Sequence, residues 1–364
     1  MSIGSPGARA LLAVLVLAWP FAPASAHSLE EANAQANRFV ERTMREQRIP
    51  GLQVAVVKDG RIVLSRAYGM ANVEDAVPAT ASTRFPLNSA TKAFTGVAIM
   101  QLAHAGRVDL QASVCDYVDG LPQAWCKVRV RQLLAHTSGL PDILDEQGLI
   151  GGGTEQAAWT AVTRLPVQAG PGERFVYNQT NYVLLGRIIA QLAGIPYEEY
   201  LARQQFAPAG MRSAAFADSY DLLANSATMY SYLPRRTDDP DRPARLSRWF
   251  YDVPENLRAG SGLQATAGDV ARWLVALHDG RLLPADELRA MGVPEKLNSG
   301  ADGSWAAGWP ILGDAPGKPL AATGGARAAF FVYPDDGLAI VVLTNLVGAN
   351  PQEFIPQIAA FYRD

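Results

Sequence analysis

The stretch Phe85-Pro86-Leu87-Asn88-Ser89-Ala90-Thr91-Lys92-Ala93-Phe94 decides how the rest of the chain is read. It contains Ser-x-x-Lys, with Ser89 three residues ahead of Lys92. The run that follows, Thr95 to Ala105, reads as helix, and Gly106 is its stop signal. Three residues is nearly one helical turn, so Ser89 and Lys92 can share a face. Ser89 would sit in the first turn, where free N–H groups and the positive dipole end favour an alkoxide or oxyanion. A serine hydroxyl is a weak nucleophile until something takes its proton. A lysine can take it if burial lowers the lysine's pKa. Ala93, Phe94, Val97, Ala98, Ile99, Met100, Leu102 and Ala103 leave the helix little polar face. The pattern describes a core helix with a reactive group at its start. The same spacing also arises by chance, and a helix opening on Asn88 or Ser89 can be no more than well capped. The rest of the chain has to choose between these readings.

The 364 residues are 49% hydrophobic and 18% charged, which suits a globular protein with a large core and room for two domains. A net charge of −3 gives no basic footprint for nucleic acid. Arginine far outnumbers lysine, so a lysine three residues after a serine stands out. The N-terminus has the layout of a secretory signal. Arg9 is the charged region, Ala10 to Trp19 the apolar region, and Ala24-Ser25-Ala26 the cleavage site, so that 1–26 is removed and the mature chain begins at His27. No cysteine follows the site to take a lipid, and no later segment is long and apolar enough to span a bilayer. The expected location is the periplasm or the exterior, which is oxidising. The only cysteines, Cys115 and Cys126, flank the turn-rich Asp119-Gly120-Leu121-Pro122. A disulfide is expected there, with two free structural thiols as the alternative. Without a nearby histidine they make a poor zinc site; no metal and no cofactor is expected.

In chain order, Leu29 to Arg48 reads as an amphipathic helix. Leu52 to Val57 and Arg61 to Ala67 read as strands joined at Asp59-Gly60, a strong hairpin signal. Val77 to Thr83 reads as a loop. Helical patterns dominate the middle, with Val183 to Ala193 stopped by Gly194. Ser231 to Pro254 reads as a long surface loop, with a substrate lid as the weaker alternative. Thr266 caps a helix over Ala267 to Leu277. Arg327 to Tyr333 and Leu338 to Asn345 form a second hairpin, and Pro351 to Tyr362 closes as helix. Strands at both ends and helices between them give the expected architecture. It is an α/β (α+β) fold in which 27–84 and 265–364 form an antiparallel sheet flanked by helices, with an all-helical domain inserted over 85–264.

Several motifs now stand in order: Ser89-x-x-Lys92; Leu133-Leu134-Ala135-His136-Thr137-Ser138-Gly139-Leu140-Pro141; Tyr177 followed by Thr180-Asn181-Tyr182-Val183-Leu184-Leu185-Gly186; Ala259-Gly260-Ser261-Gly262-Leu263-Gln264-Ala265-Thr266; Gly308-Trp309; and Val341-Val342-Leu343-Thr344-Asn345. Together they resemble the β-lactamase-related serine hydrolases, which include class C β-lactamases, penicillin-binding DD-peptidases, D-aminopeptidases and β-lactamase-fold esterases. The resemblance runs from about Leu29 to Phe361. It implies the same two-part β-lactamase/transpeptidase-like fold with the active site between the parts. It also implies roles: Ser89 as nucleophile, Lys92 as its partner and Tyr177 as the proton shuttle. The backbone N–H groups of Ser89 and Gly325 would form the oxyanion hole. A Ser-His-Asp alternative is weak, since no serine sits in Gly-x-Ser-x-Gly and His136 reads as a structural residue of a turn.

Two motifs depart from the family pattern. Tyr-x-Asn becomes Tyr177-Asn178-Gln179, which lengthens the amide side chain by one methylene. Lys-Thr-Gly or His-Thr/Ser-Gly becomes Ala322-Thr323-Gly324, which removes a cation or donor that meets a substrate carboxylate. Gln179, Ala322, Thr323 and Gly324 are the expected substrate-binding positions. Arg327 could replace the charge only if a bulge at Gly324-Gly325 turned it to the right face. The reading is an exported serine hydrolase acting on an ester or amide of a small molecule or short peptide. The alternatives are a β-lactamase, DD-peptidase or D-aminopeptidase, and a non-catalytic protein that keeps the fold.

Overall fold

The computed structural model describes residues 1, 28–233, 244–312 and 319–363; the expected signal segment lies outside them. Helix α1 (Leu29–Glu46) starts where the Ser28 side chain accepts the Glu31 N–H, and it buries Ala32, Ala36, Val40 and Thr43 along one stripe. Strands β1 (Gly51–Lys58) and β2 (Arg61–Asn72) follow. Between them Asp59 and Gly60 both have positive φ, 49° and 72°. That is the primed turn whose twist matches an antiparallel pair, as the sequence predicts. A two-residue strand β3 (Val77–Pro78) interrupts the expected loop by pairing with the end of β2.

After the inserted segment come α4 (Ala267–His278), β4 (Leu320–Gly324), β5 (Ala328–Tyr333), β6 (Leu338–Thr344) and α5 (Pro351–Ala360). The labels α2 and α3 belong to Thr91–His104 and Thr180–Ala193 in the insert. The main sheet runs β4-β5-β6-β1-β2-β3, so the N-terminal hairpin and the C-terminal strands meet where β1 pairs with β6. All pairings within it are antiparallel. Strand alternation then feeds two separate cores. Leu52, Val54, Val56, Phe331, Ile340 and Val342 face α1 and α5. Ala55, Val57, Phe330, Val341 and Leu343 face α4, α2 and the inserted segment. Asn345 fastens the sheet's lower edge: its Oδ1 accepts the Gly51 N–H at 2.7 Å and its Nδ2 donates to the Met70 carbonyl at 3.0 Å.

The insert is not all-helical. Phe85–Pro86, Leu263–Ala265 and Ala215–Phe216 form a small three-stranded sheet, and two further short ribbons pair Leu144–Asp145 with Gly148–Leu149 and Tyr230–Ser231 with Ser247–Arg248. Such two- and three-residue strands carry too little periodicity to be read from sequence. The chain pairs directly where the insert begins and ends, Phe85 with Ala265 and Pro86 with Gln264, and we propose this neck as the join between the two parts. Residues 247–254 also depart from the expected solvated loop. Val253 is buried, and the Tyr251 ring packs against the Arg327 guanidinium. Residues 234–243 lie outside the described part.

Candidate active site

Ser89 lies in a single 3₁₀ turn, Asn88–Ala90, that runs straight into α2. It is therefore just before the α-helix rather than in its first turn. Helix α2 is apolar nearly all round and buries every residue from Thr91 to Ile99, which fixes its axis in the core. Two close backbone approaches seat it. A Cβ on Gly308 would lie 2.6 Å from the Lys92 carbonyl oxygen, and one on Gly96 would lie 2.3 Å from the Ala307 carbonyl oxygen. Lys92 has no solvent exposure. Its ammonium donates to the Gly260 carbonyl at 2.8 Å and to Gln179 Oε1 at 3.0 Å.

Tyr177 comes from the loop before α3. Its hydroxyl donates to Ser89 Oγ at 2.8 Å, and Lys92 Nζ lies 4.9 Å from its ring centroid. Desolvation of the phenol raises its pKa, but the nearby Lys92 charge, helped by the hydrogen bond with Ser89, outweighs that and holds it below the ordinary 10. The residue as a whole is 36% exposed. Its inner side rests on the imidazole of His136, whose centroid is 4.3 Å away, and on Trp305 at 5.5 Å. His136 is fully buried; that burial, and then Lys92, keep its pKa well below 6.5. Its Nδ1 accepts the Asn178 N–H at 3.4 Å, so it serves as a neutral packing wall for Tyr177. The turn around it is tied down by Ser138 Oγ to Asn181 Oδ1 at 2.6 Å and by Asn178 Nδ2 to the Leu140 carbonyl at 3.1 Å.

The structure thus brings together the serine, lysine and tyrosine that the sequence singles out, drawn from points 88 residues apart. Residues 36–360 match the Beta-lactamase family model. The chain belongs to the Beta-lactamase family. Protein flp of Staphylococcus aureus (strain N315) is 26% identical over 344 residues, which is 90% of this chain; the chain spans 65% of that relative's length. The octameric penicillin-binding protein homologue from Pyrococcus abyssi has the same fold, with a TM-score of 0.75 and 25% identity over 90% of this chain and 76% of its own. EstCE1, a hydrolase with promiscuous acyltransferase activity, shares the fold at a TM-score of 0.75 and 21% identity, covering 92% of this chain and 99% of its own.

The Beta-lactamase-family departures can now be located. Gln179 directs its amide oxygen at Lys92, and Gly260 makes room for it: a Cβ there would lie 2.7 Å from Gln179 Oε1. The extra methylene is absorbed by an interaction with the lysine. The Gln179 N–H donates to Asp142 Oδ1 at 2.9 Å. Asp142 is mostly buried, which raises its carboxyl pKa against the lowering effect of that and neighbouring backbone N–H groups and of Lys92. On the strand side, Ala322 is 1% exposed and packs with the core, paired across the sheet with Phe330. It presents a wall rather than a donor. Thr323 is half-buried, and Gly324 is pressed so close to the nucleophile's turn that a Cβ would stand 1.9 Å from the Leu87 carbonyl oxygen and 2.9 Å from the Ser89 nitrogen. Gly325 and Ala326 have φ of 56° and 53° and close a tight turn in which the Arg327 N–H donates to the Gly324 carbonyl at 3.1 Å. That turn swings Arg327 toward Asn88, whose Oδ1 accepts from Arg327 Nη2 at 3.0 Å. Asn88 and Trp305 were not singled out by the sequence. The only available signal was their nearness to motif residues. Among the described residues no cluster of three or more metal-ligating side chains occurs.

Proposed function

We propose that this chain is an exported serine hydrolase that forms an acyl-enzyme on Ser89 and prefers neutral esters or amides to anionic β-lactams. The observation that carries the reading is the Tyr177 hydroxyl 2.8 Å from Ser89 Oγ, with its pKa lowered by Lys92. As phenolate, Tyr177 takes the Ser89 proton while Oγ attacks the substrate carbonyl. The N–H groups of Ser89 and Gly325 receive the charge on the carbonyl oxygen. Tyr177 returns the proton to the leaving alcohol or amine as the bond to carbon breaks. Water then attacks the acyl-enzyme along the same route, giving up its proton to Tyr177, and Ser89 leaves protonated. Lys92 stays a cation throughout and offsets the phenolate charge. Gln179, Thr323 and Gly324 line the substrate's path, and Ala322 contributes no charge to it.

Export is supported by the disulfide between Cys115 and Cys126, whose Cα atoms are 5.1 Å apart. No helix among the described residues is long and apolar enough to cross a membrane. The substrate is a small molecule or short peptide. The test is intact-mass analysis after exposure to a fluorophosphonate, a penicillin and a p-nitrophenyl ester, beside Ser89→Ala. The expected result is a single phosphonyl adduct on Ser89, absent from the variant, and turnover of the ester. Labelling that persists unchanged in Ser89→Ala would refute the nucleophile. No acylation by any of the three would favour the non-catalytic alternative, and faster cleavage of the penicillin than of the ester would favour a β-lactamase or DD-peptidase.

A further inference from the structure

Arg327 is 6% exposed, and burial brings its pKa down to about 10. Its Nε and Nη1 are buried without a hydrogen-bond partner, and no carboxylate faces it among the described residues. An unpaired interior cation is costly, and an apolar residue next to a hairpin turn would avoid that cost. What Arg327 does touch is specific. Its Nη2 holds Asn88 Oδ1 at 3.0 Å, while Asn88 Nδ2 donates to the Pro86 carbonyl at 3.2 Å. Asn88 is thereby fixed in the left-handed region, φ 48°, immediately before the nucleophile. On its other side the guanidinium lies under the main chain of Gly325, where a Cβ would stand 2.8 Å from Nε and 3.1 Å from Asn88 Cγ. The Tyr251 ring, 5.3 Å away, closes the space.

We propose that Arg327 is a positioning residue for the oxyanion hole: through Asn88 it locks the Ser89 main chain against that of Gly325, and its uncompensated charge lies behind the point where the carbonyl oxygen becomes negative. The inference rests on the acyl-enzyme reading above. Arg327 acts through Asn88 and Gly325, since its free nitrogens are closed to solvent and cannot meet substrate. Oriented donors and fixed charge in a water-poor site act on the transition state more than on the bound substrate.

The experiment compares wild type with Arg327→Met, Arg327→Lys and Asn88→Gly, reading the acylation rate from the p-nitrophenyl ester burst, together with kcat, KM, fluorophosphonate labelling and Tm. Arg327→Met is expected to slow acylation about ten- to a hundredfold, with KM within about threefold and Tm unchanged or raised, because a costly buried charge is gone. Arg327→Lys should recover part of the rate. Asn88→Gly, which keeps the φ but loses the relay, should slow acylation too, and the double variant with Arg327→Met should lose less than the product of the two. Acylation by Arg327→Met within twofold of wild type would overturn the proposal. So would a loss explained by a lower Tm and a smaller titratable fraction, with no rescue by lysine. Wild-type protein that leaves Ser89 unlabelled would instead bring down the hydrolase reading, and this inference with it.

Discussion

One wall of the site is formed by Ser89, Lys92, Tyr177 and Gln179, with the Tyr177 hydroxyl 2.8 Å from Ser89 Oγ and Lys92 Nζ 3.0 Å from Gln179 Oε1, and Tyr177 is backed by the aromatic packing of His136 and Trp305. The other wall is the strand β4 and its turn. There the buried Ala322 stands where the resemblance implies a cation, and Arg327, which no carboxylate faces among the described residues, lies beneath Gly325. In the proposed reaction the first wall carries the groups that move a proton. By the same reading the second lacks a group to recognise a charged substrate, and its arginine faces the Asn88–Ala90 turn instead. In the proposed reaction, acylation and substrate recognition are therefore carried by different elements, which touch where Gly324 presses on the backbone of Leu87, Ser89 and Ala90 and where Arg327 holds Asn88.

The largest effect should come from breaking the first wall. Tyr177→Phe removes the base and Lys92→Met removes the charge that lowers its pKa; each is expected to cut kcat/KM by about 10²- to 10⁴-fold in ester hydrolysis. The pH profile sharpens the point. The phenolate fraction grows as pH rises through a pKa held below 10, so activity should climb with pH. In Lys92→Met the main lowering influence is gone, and the residual activity should need higher pH. A profile that does not move would remove Tyr177 from the proton's path.

The second wall predicts a smaller effect, read as a ratio. A charge-assisted hydrogen bond to a carboxylate is worth about 1.5–3 kcal/mol, roughly ten- to a hundredfold. Without it, neutral short-chain esters should show higher kcat/KM than penicillins or cephalosporins, measured side by side on wild type. The converse change is to add a lysine at position 322. The 1% exposure of Ala322 makes Ala322→Lys a packing change before it is a specificity change, so the wild-type ratio is the cleaner test. β-Lactams cleaved faster than esters would erase the contrast between the walls.

The smallest kinetic effect belongs to neither wall. Cys115 and Cys126 close an 11-residue separation in the insert. Replacing both with serine should cost about 2–3 kcal/mol of stability by freeing the unfolded chain, seen as a lower midpoint in denaturant, while kcat and KM at 25 °C stay put. A kinetic change of either wall's size would show that the two regions are coupled through the helical insert.

The sequence by itself determined the local choices: the Asp59-Gly60 hairpin, the Thr266 cap, the stops at Gly106 and Gly194, and the apolar run of α2. Each is set by a dihedral preference or by a periodicity within one segment. It also supplied Ser89, Lys92 and Tyr177, because motif spacing survives without coordinates. Three things had to wait for the tertiary structure. Gln179 reads as a substrate-binding position with one methylene to spare; only the fold shows Gly260, 81 positions further on, leaving room for its amide to reach Lys92. Ala322 reads as the loss of a cation or donor; only the fold shows it in the core, paired with Phe330. Arg327 could be a replacement cation only with a bulge at Gly324-Gly325; the Gly325-Ala326 turn carries it to Asn88. In each case the deciding contact joins residues distant in the chain, and a strand pattern of period two cannot say what lies against either face.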